Sequence, residues 1–274
     1  MPLSENLIFW QDLIITIFGL IIGSFLNVCI YRIPENKSLL IPSACPHCGT
    51  KIPFYRNIPF LTYLFQMGKT ACCEKKIAIQ YPMIELLSAA LAVVTFHHTA
   101  NAIDFLIWYL LFLCPLLVIS VIDFRLRIIP DVLSLPLIAI GTAVHMYTLS
   151  LNIWPALLDS VLGIVIGGGS LLLVAEVISR LKKTEALGGG DIKLTAMLGA
   201  FLGWKPILFI YFFSSILALI YIGGTFLLPG KRGQTVIPFG PFLSMAGMLF
   251  FFYGKPITDW YFFSNGFPIN PLFP

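Results

Sequence analysis

The chain is predicted to be an all-α polytopic integral membrane protein of about eight transmembrane helices, with a small cysteine-containing loop domain in the cytoplasm. Three observations predict it. The 274 residues are 58% hydrophobic and only 11% charged, with a mean hydropathy of +0.91; a soluble domain of this length is neither so apolar nor so poor in charge. The apolar residues fall into runs near the ~20 residues that a helix needs to cross a bilayer. The basic residues collect in alternate loops, the asymmetry that orients membrane proteins.

Spans are expected near residues 8–30, 83–99, 104–122, 132–149, 155–179, 192–204, 206–228 and 236–254. The first is read as retained. Glu5 and Asp12 stand at its start without any Lys or Arg, the run from Leu13 to Ile30 is too long for a signal-peptide core, and Arg32 follows at once. The sixth is short, and Gly203-Trp204-Lys205-Pro206 divides it from the seventh. Fifteen of the seventeen Lys and Arg lie in odd-numbered loops, leaving only Lys205 and Lys255 on the other side. The odd loops are therefore expected in the cytoplasm and both termini outside. The corresponding division is a first span over residues 1–30, a cysteine-containing cytoplasmic loop domain over 31–82, and a seven-span membrane domain over 83–274.

Two aspartates stand out within the apolar sequence. Asp191 heads the sixth span behind Gly188-Gly189-Gly190, and Asp123 ends the third. An ionisable group in or near a span is costly and is read first as functional. The topology brings both to the cytoplasmic face at similar depth. Two carboxylates close enough to share a proton cannot both ionise freely, so one holds the proton while the other activates water, the arrangement of an aspartic protease. The glycines are expected to give the backbone unusual conformations and a close approach to a neighbour; the plainer reading is a flexible loop with Asp191 as a helix N-cap. Asp131 competes for the second position, but it follows Pro130 and is well placed to cap the fourth span, so Asp123 is preferred for catalysis.

The remaining embedded acids, Glu85 and Glu176, either line a polar cavity or snorkel to the interface. Gly163 and Gly167 form a GxxxG pair inside an apolar span with no strand before it, which points to close helix packing and away from a nucleotide-binding loop. His97 and His98 are read as an exposed polar pair without a role.

Four of the six cysteines lie in the long first loop, as Cys45-Pro46-His47-Cys48 and Cys72-Cys73. A knuckle of this kind followed by a second pair resembles a structural zinc site, which folds a loop too poor in apolar residues for its own core. Adjacent cysteines make the second half irregular. Four thiolates, three with His47 or water, and no metal at all stay open.

In order along nearly the whole chain, the residues resemble the bacterial type IV prepilin leader peptidases, which also N-methylate their product. The resemblance is carried by Gly23-Ser24-Phe25-Leu26-Asn27-Val28, Tyr31-Arg32-Ile33-Pro34, Cys45 with Cys48, Asn57-Ile58-Pro59, and Tyr81-Pro82 with Glu85. It continues through Ile122-Asp123, Ile129-Pro130-Asp131, Gly188-x-Gly190-Asp191 with Lys193, and Pro238-Phe239-Gly240-Pro241. It implies an intramembrane aspartic peptidase of the GxGD type in which Asp123 and Asp191 are the catalytic pair, supported by Gly188, Gly190 and Lys193. The implied substrates are prepilins or pseudopilins, cleaved at the inner-membrane face in the bilayer, with no nucleic acid involved. It also implies S-adenosylmethionine as methyl donor; because two aspartates provide neither a donor pocket nor a positioned amine, Glu85 and the polar residues of the first loop are the candidates for supporting transfer. A zinc site of Cys45, Cys48, Cys72 and Cys73 departs from the family pattern, because Thr70 stands where a cysteine is usual and Cys72 is extra.

Other classes fit less well. No repeat relates the two halves, as it commonly does in transporters, and adjacent cysteines are not the CxxC motif of a thiol oxidoreductase. A presenilin-like protease would share GxGD without needing the cysteine loop or the first-span motif.

Overall fold

The computed structural model describes residues 2–45, 48–53, 58–149, 153–182, 188–227 and 237–264. His47, Arg56, Asn57, Lys183, Lys231 and Arg232 lie outside them. The described chain is helical: α1 (Pro2–Arg32), α2 (Leu61–Phe65), α3 (Gln80–His98), α4 (Ala102–Ile107), a π-helical segment (Trp108–Leu113), α5 (Cys114–Leu126), α6 (Asp131–Thr148), α7 (Ile153–Lys182), α8 (Gly189–Leu202), α9 (Pro206–Leu227) and α10 (Gly240–Ser264). Pairing between extended segments among the described residues is limited to two isolated bridges, Ala44 with Lys51 and Lys69 with Lys76.

Five helical stretches are long and apolar enough to cross a membrane: Ile8–Arg32, Ala102–Leu126, Asp131–Thr148, Ile153–Leu181 and Pro206–Thr225. Large apolar side chains such as Trp154, Leu173, Phe212 and Leu219 remain exposed along them, a surface suited to lipid. The protein is a multi-pass membrane protein. Helices α3, α8 and α10 occupy the other three expected positions. The 14 residues of α8 rise only about 21 Å, well short of a ~30 Å hydrocarbon core.

The chain forms two compact units, Met1–Cys114 and Pro115–Pro274. In the first, α1 packs on α3 through small residues. A Cβ on Gly19 would lie 2.6 Å from the Ala89 Cα, and one on Gly23 would lie 2.6 Å from the Glu85 Cα, so glycine is what lets the two backbones approach. The Tyr109 hydroxyl on the π-helical segment lies 2.7 Å from Ser88 Oγ of α3. His97, expected to have no role, is paired with Asp12 of α1 at 2.8 Å; the acid and the imidazole tie the same ends of the two helices.

In the second unit α8 is the central element, with every residue from Leu194 to Leu202 buried. It packs on α6, α7, α9 and α10. Gly163 and Gly199 meet backbone to backbone, and a Cβ on Gly167 would lie 2.6 Å from the Thr195 carbonyl, so the GxxxG pair does serve helix packing. At the far end Gly203, at φ 81°, turns the chain out of α8, and Pro206 opens α9. That end is held by polar groups. His145 reaches the Phe201 carbonyl at 3.0 Å and Asp159 at 2.9 Å, and the Ser160 hydroxyl donates to the Ala200 carbonyl at 2.9 Å. Glu176, expected as a cavity-lining or snorkelling acid, lines no polar cavity: it is exposed and paired with Arg180 one turn along α7 at 2.7 Å.

Candidate active site

Asp123 lies in the last turn of α5. The helix ends because Arg127 adopts the left-handed conformation at φ 58°, with its N–H donating to the Asp123 carbonyl at 2.8 Å. This reverses the chain over Ile128 to Pro130 into α6. The Asp123 side chain is buried at 5% exposure, and its Oδ2 accepts the Gly240 N–H at 3.0 Å. Gly240 is the first residue of α10, where N–H groups have no partner within the helix and the dipole favours negative charge. A Cβ at Gly240 would stand 2.7 Å from that oxygen. Glycine is thus required for the helix terminus to reach the carboxylate.

Asp191 lies in the first turn of α8, also at a helix N-terminus. It is not the N-cap: Gly188 holds that position, without a side-chain cap. Nor do the three glycines use conformations closed to other residues, since Gly188 is extended at φ −68° and Gly189 and Gly190 are helical. What Gly190 provides is proximity, because a Cβ there would lie 2.9 Å from the Ile129 Cβ. Ile129 also faces Gly240, where a Cβ would be 3.1 Å from its Cδ1. One buried isoleucine therefore sits between the segment leading to Asp191 and the glycine that holds Asp123. Two acids so arranged can share a proton and polarise a water between them.

Asp131, expected as the cap of α6, makes no side-chain cap; Pro130 occupies that position. Asp131 instead accepts a 2.6 Å ion pair from Lys193. Lys193 belongs to the first turn of α8 and joins it to the first turn of α6. Gly240, Ile129 and Arg127 escaped sequence reasoning as site residues, although Pro238-Phe239-Gly240-Pro241 was a visible signal.

The first unit holds the other predicted residues. Cys45, Cys48, Cys72 and Cys73 place their Sγ atoms all within 4.8 Å of one another. The two halves of the loop repeat one backbone pattern. In one, Cys45 N–H bonds to the Thr50 carbonyl and Gly49 N–H to the Cys45 carbonyl; in the other, Thr70 N–H bonds to the Lys75 carbonyl and Glu74 N–H to the Thr70 carbonyl. Gly49 and Glu74 both take positive φ, 72° and 54°. Thr70 thus stands where Cys45 stands in the other half, Cys73 matches Cys48, and Cys72 brings the fourth sulfur from within the turn. The spacings are 3.2 Å for Cys48 to Cys72, 3.8 Å for Cys45 to Cys73 and 4.0 Å for Cys72 to Cys73, near the roughly 3.8 Å edge of a tetrahedron with 2.3 Å Zn–S bonds. Hydrogen bonds from Thr50 draw Cys48 down to about 6, and those from Thr70 lower Cys73. Cys72 is pushed up to about 12 by its hydrogen bond with Cys48. The set fits a metal that displaces the Cys72 proton.

Glu85, on α3, is buried and accepts the Phe60 N–H at 2.7 Å. It lines a cavity of about 1150 Å³ enclosed by α1, α3 and the loop between them, to which Tyr31, Arg32, Tyr81, Cys45 and Cys72 also contribute. Arg32 organises that loop by donating to the Ser38, Leu39, Ile41 and Pro42 carbonyls.

Comparison with known proteins gives two family-model matches, "Bacterial Peptidase A24 N-terminal domain" over residues 17–99 and "Type IV leader peptidase family" over residues 110–223. Proteins named prepilin leader peptidase/N-methyltransferase are similar over nearly the whole chain. That of Dichelobacter nodosus is 36% identical over 88% of this chain and 91% of its own length. That of Xanthomonas campestris pv. campestris is 35% identical over 89% and 91%, and that of Pseudomonas aeruginosa 34% over 92% and 93%. No solved structure matches.

The contact at Gly240 makes a direct prediction. Gly240→Ala forces a Cβ onto the Asp123 carboxylate and should lower stability by about 1–3 kcal/mol, as overpacking does. Gly189→Ala meets open space and should be neutral or stabilising. Thermal unfolding of the two variants in detergent checks the order; equal behaviour would contradict the contact.

Proposed function

We infer that this chain, which belongs to the type IV leader peptidase family, is a prepilin leader peptidase and N-methyltransferase. It cleaves the basic leader from type IV prepilins or pseudopilins and then methylates the new N-terminal amine. The observation that carries the peptidase reading is the convergence of Asp123 and Asp191 at two helix N-termini around Ile129.

Asp123 and Asp191 are the hydrolytic pair. Gly240 occupies Oδ2 of Asp123 and leaves the other oxygen for water. The ionised member takes a proton from that water as it attacks the scissile carbonyl, and the protonated member gives its proton to the carbonyl oxygen. The tetrahedral diol collapses with proton transfer to the leaving amine, restoring the pair. Gly190 lets α8 start close to Ile129, Gly188 takes the N-cap position ahead of Asp191, and the Lys193–Asp131 pair holds that start in place; these are positioning residues. Asp131 does no chemistry.

The pair acts at the cytoplasmic face of the bacterial inner membrane, where a prepilin presents the junction between its basic leader and its apolar helix. Eight spans, with both termini outside and the loop domain of residues 31–82 in the cytoplasm, agree with the distribution of Lys and Arg; the pair itself belongs to the membrane domain of residues 83–274. Methyl transfer takes place in the cavity beside Glu85. S-adenosylmethionine supplies an electrophilic methyl group there, and Glu85 accepts the proton that the incoming ammonium must lose before its nitrogen can attack. A zinc ion held by Cys45, Cys48, Cys72 and Cys73 fixes the loop that forms one wall.

In a reconstituted assay read by the mass of the product N-terminus, Asp123→Asn and Asp191→Asn should each abolish leader loss, and Asp131→Asn should reduce it only mildly. Both inactive variants should still methylate a peptide supplied already trimmed. Loss of cleavage in Asp131→Asn with retention in Asp123→Asn would show that the pair is misassigned.

Purified protein should carry about one zinc per chain. Cys72→Ser should release it as readily as Cys45→Ser and expose the loop to proteolysis, with cleavage surviving at a reduced level. A Cys72→Ser protein with full metal content would remove Cys72 from the site.

A further inference from the structure

Asn27 lines the cavity of the first unit and is 3% exposed. Its Nδ2 donates to the Tyr81 carbonyl at 3.1 Å and to the Gly23 carbonyl at 3.4 Å. Both partners are acceptors only, so the amide cannot be turned over: the nitrogen must face them, and Oδ1 is the atom left over. That oxygen is buried and has no hydrogen-bond partner. Buried acceptors are nearly always satisfied, and one left bare in a side chain that lines a cavity marks the place of a donor that the protein itself does not supply.

The neighbourhood defines the donor. Gly23, one turn before Asn27, packs against the Glu85 backbone, and Asn27 and Glu85 both line the cavity. Glu85 already takes the Phe60 N–H on one carboxylate oxygen, which orients its carboxylate. The stacked rings of Tyr31 and Tyr81, 5.3 Å apart at 11°, add π-faces that favour a cation. Arg32 is committed to the loop carbonyls, and the lysines on the wall, Lys37, Lys51 and Lys76, are all exposed. A bare acceptor in a cavity that also holds a buried carboxylate selects a ligand that is both positively charged and rich in N–H.

We propose that Asn27 Oδ1 and the Glu85 carboxylate form a subsite for a primary α-ammonium group. The inference rests on the assignment of this cavity to methyl transfer, a reaction in which both reactants carry such a group: the methionine portion of the donor and the N-terminus of the trimmed pilin. Asn27 binds and orients the amine through one hydrogen bond.

The test is equilibrium binding to the purified full-length protein. The probes are S-adenosylmethionine, its desamino analogue, a trimmed pilin peptide and the same peptide with its α-amine replaced by hydrogen. The wild type should prefer the amine in one of the two pairs by at least about 10-fold, the contribution of one hydrogen bond to a charged group. The pair that shows the preference identifies the reactant. In Asn27→Ala the preference should fall by about 10-fold, to what the Glu85 carboxylate alone supports, with affinity for the amine-free probe unchanged, which also reports an intact cavity. No preference in the wild type, a preference undiminished in Asn27→Ala, or an equal loss for the amine-free probe each overturns the subsite. Thr62→Trp, which fills the cavity from α2, separates the two levels. If it leaves both reactants bound, the cavity assignment and the subsite fall together. If it blocks them while the amine preference persists undiminished in Asn27→Ala, the cavity assignment stands and the subsite alone falls.

Discussion

The hydrogen bond from the Gly240 N–H to Asp123 is the interaction on which the second unit depends. A carboxylate in an apolar surround is tolerated only where something replaces its hydration, and the open N-terminus of α10 does so with one bond and a favourable dipole. The demand propagates outward. Residue 240 must lack a Cβ, α5 must end in a left-handed residue so that Ile129 can return between the helices, and Gly190 must be bare where Ile129 meets it. Helix α8 then carries Asp191 in its own first turn. Because α8 is short and wholly surrounded, its far end needs separate anchoring, and the buried His145, Asp159 and Ser160 provide it. A half-length helix with polar groups at both ends and apolar residues between is how a membrane protein delivers a charge to a chosen depth.

The first unit solves a different problem. Its loop is too polar to form a core, so order comes from Arg32 gathering four carbonyls, from two matching turns that cluster four sulfurs, and from the close contact of α1 with α3. The same glycine contact that brings the helices together also places Asn27 and Glu85 on one wall. Helix packing and the shape of that wall are therefore coupled here, and a change at Gly19 or Gly23 acts on both.

The helical, membrane-spanning character was legible in the sequence because apolar run length is a direct record of membrane crossing. The helices lie at the expected positions within a few residues except at the two ends of the chain, where α1 already begins at Pro2 and α10 runs on to Ser264, and Gly203 and Pro206 do divide α8 from α9. The two aspartates were legible because charge in apolar sequence is conspicuous. What escaped was geometry that depends on residues distant in the chain. Gly240 lies 117 residues from Asp123, and nothing local marks it as a donor. Asp131 resembled a cap by position after proline, yet its partner is Lys193, 62 residues on. Cys72 looked irregular only in one dimension; the two turns are superimposable in backbone pattern, with one sulfur moved by two residues. Gly19 and Gly23 form the same small-residue spacing recognised at Gly163 and Gly167, but Gly23 was read only as part of the family motif and Gly19 was not singled out, so their packing went unread.

The central claim is that Asp123 and Asp191 work as one unit sharing a single proton. The most direct test is kcat/KM for prepilin cleavage as a function of pH, measured on metal-loaded protein in vesicles. A pair needing one protonated and one ionised member predicts a bell, falling on the acid side when both are protonated and on the alkaline side when both are ionised. A profile with a single limb, or a flat one across the range in which the protein stays folded, would contradict the shared-proton account.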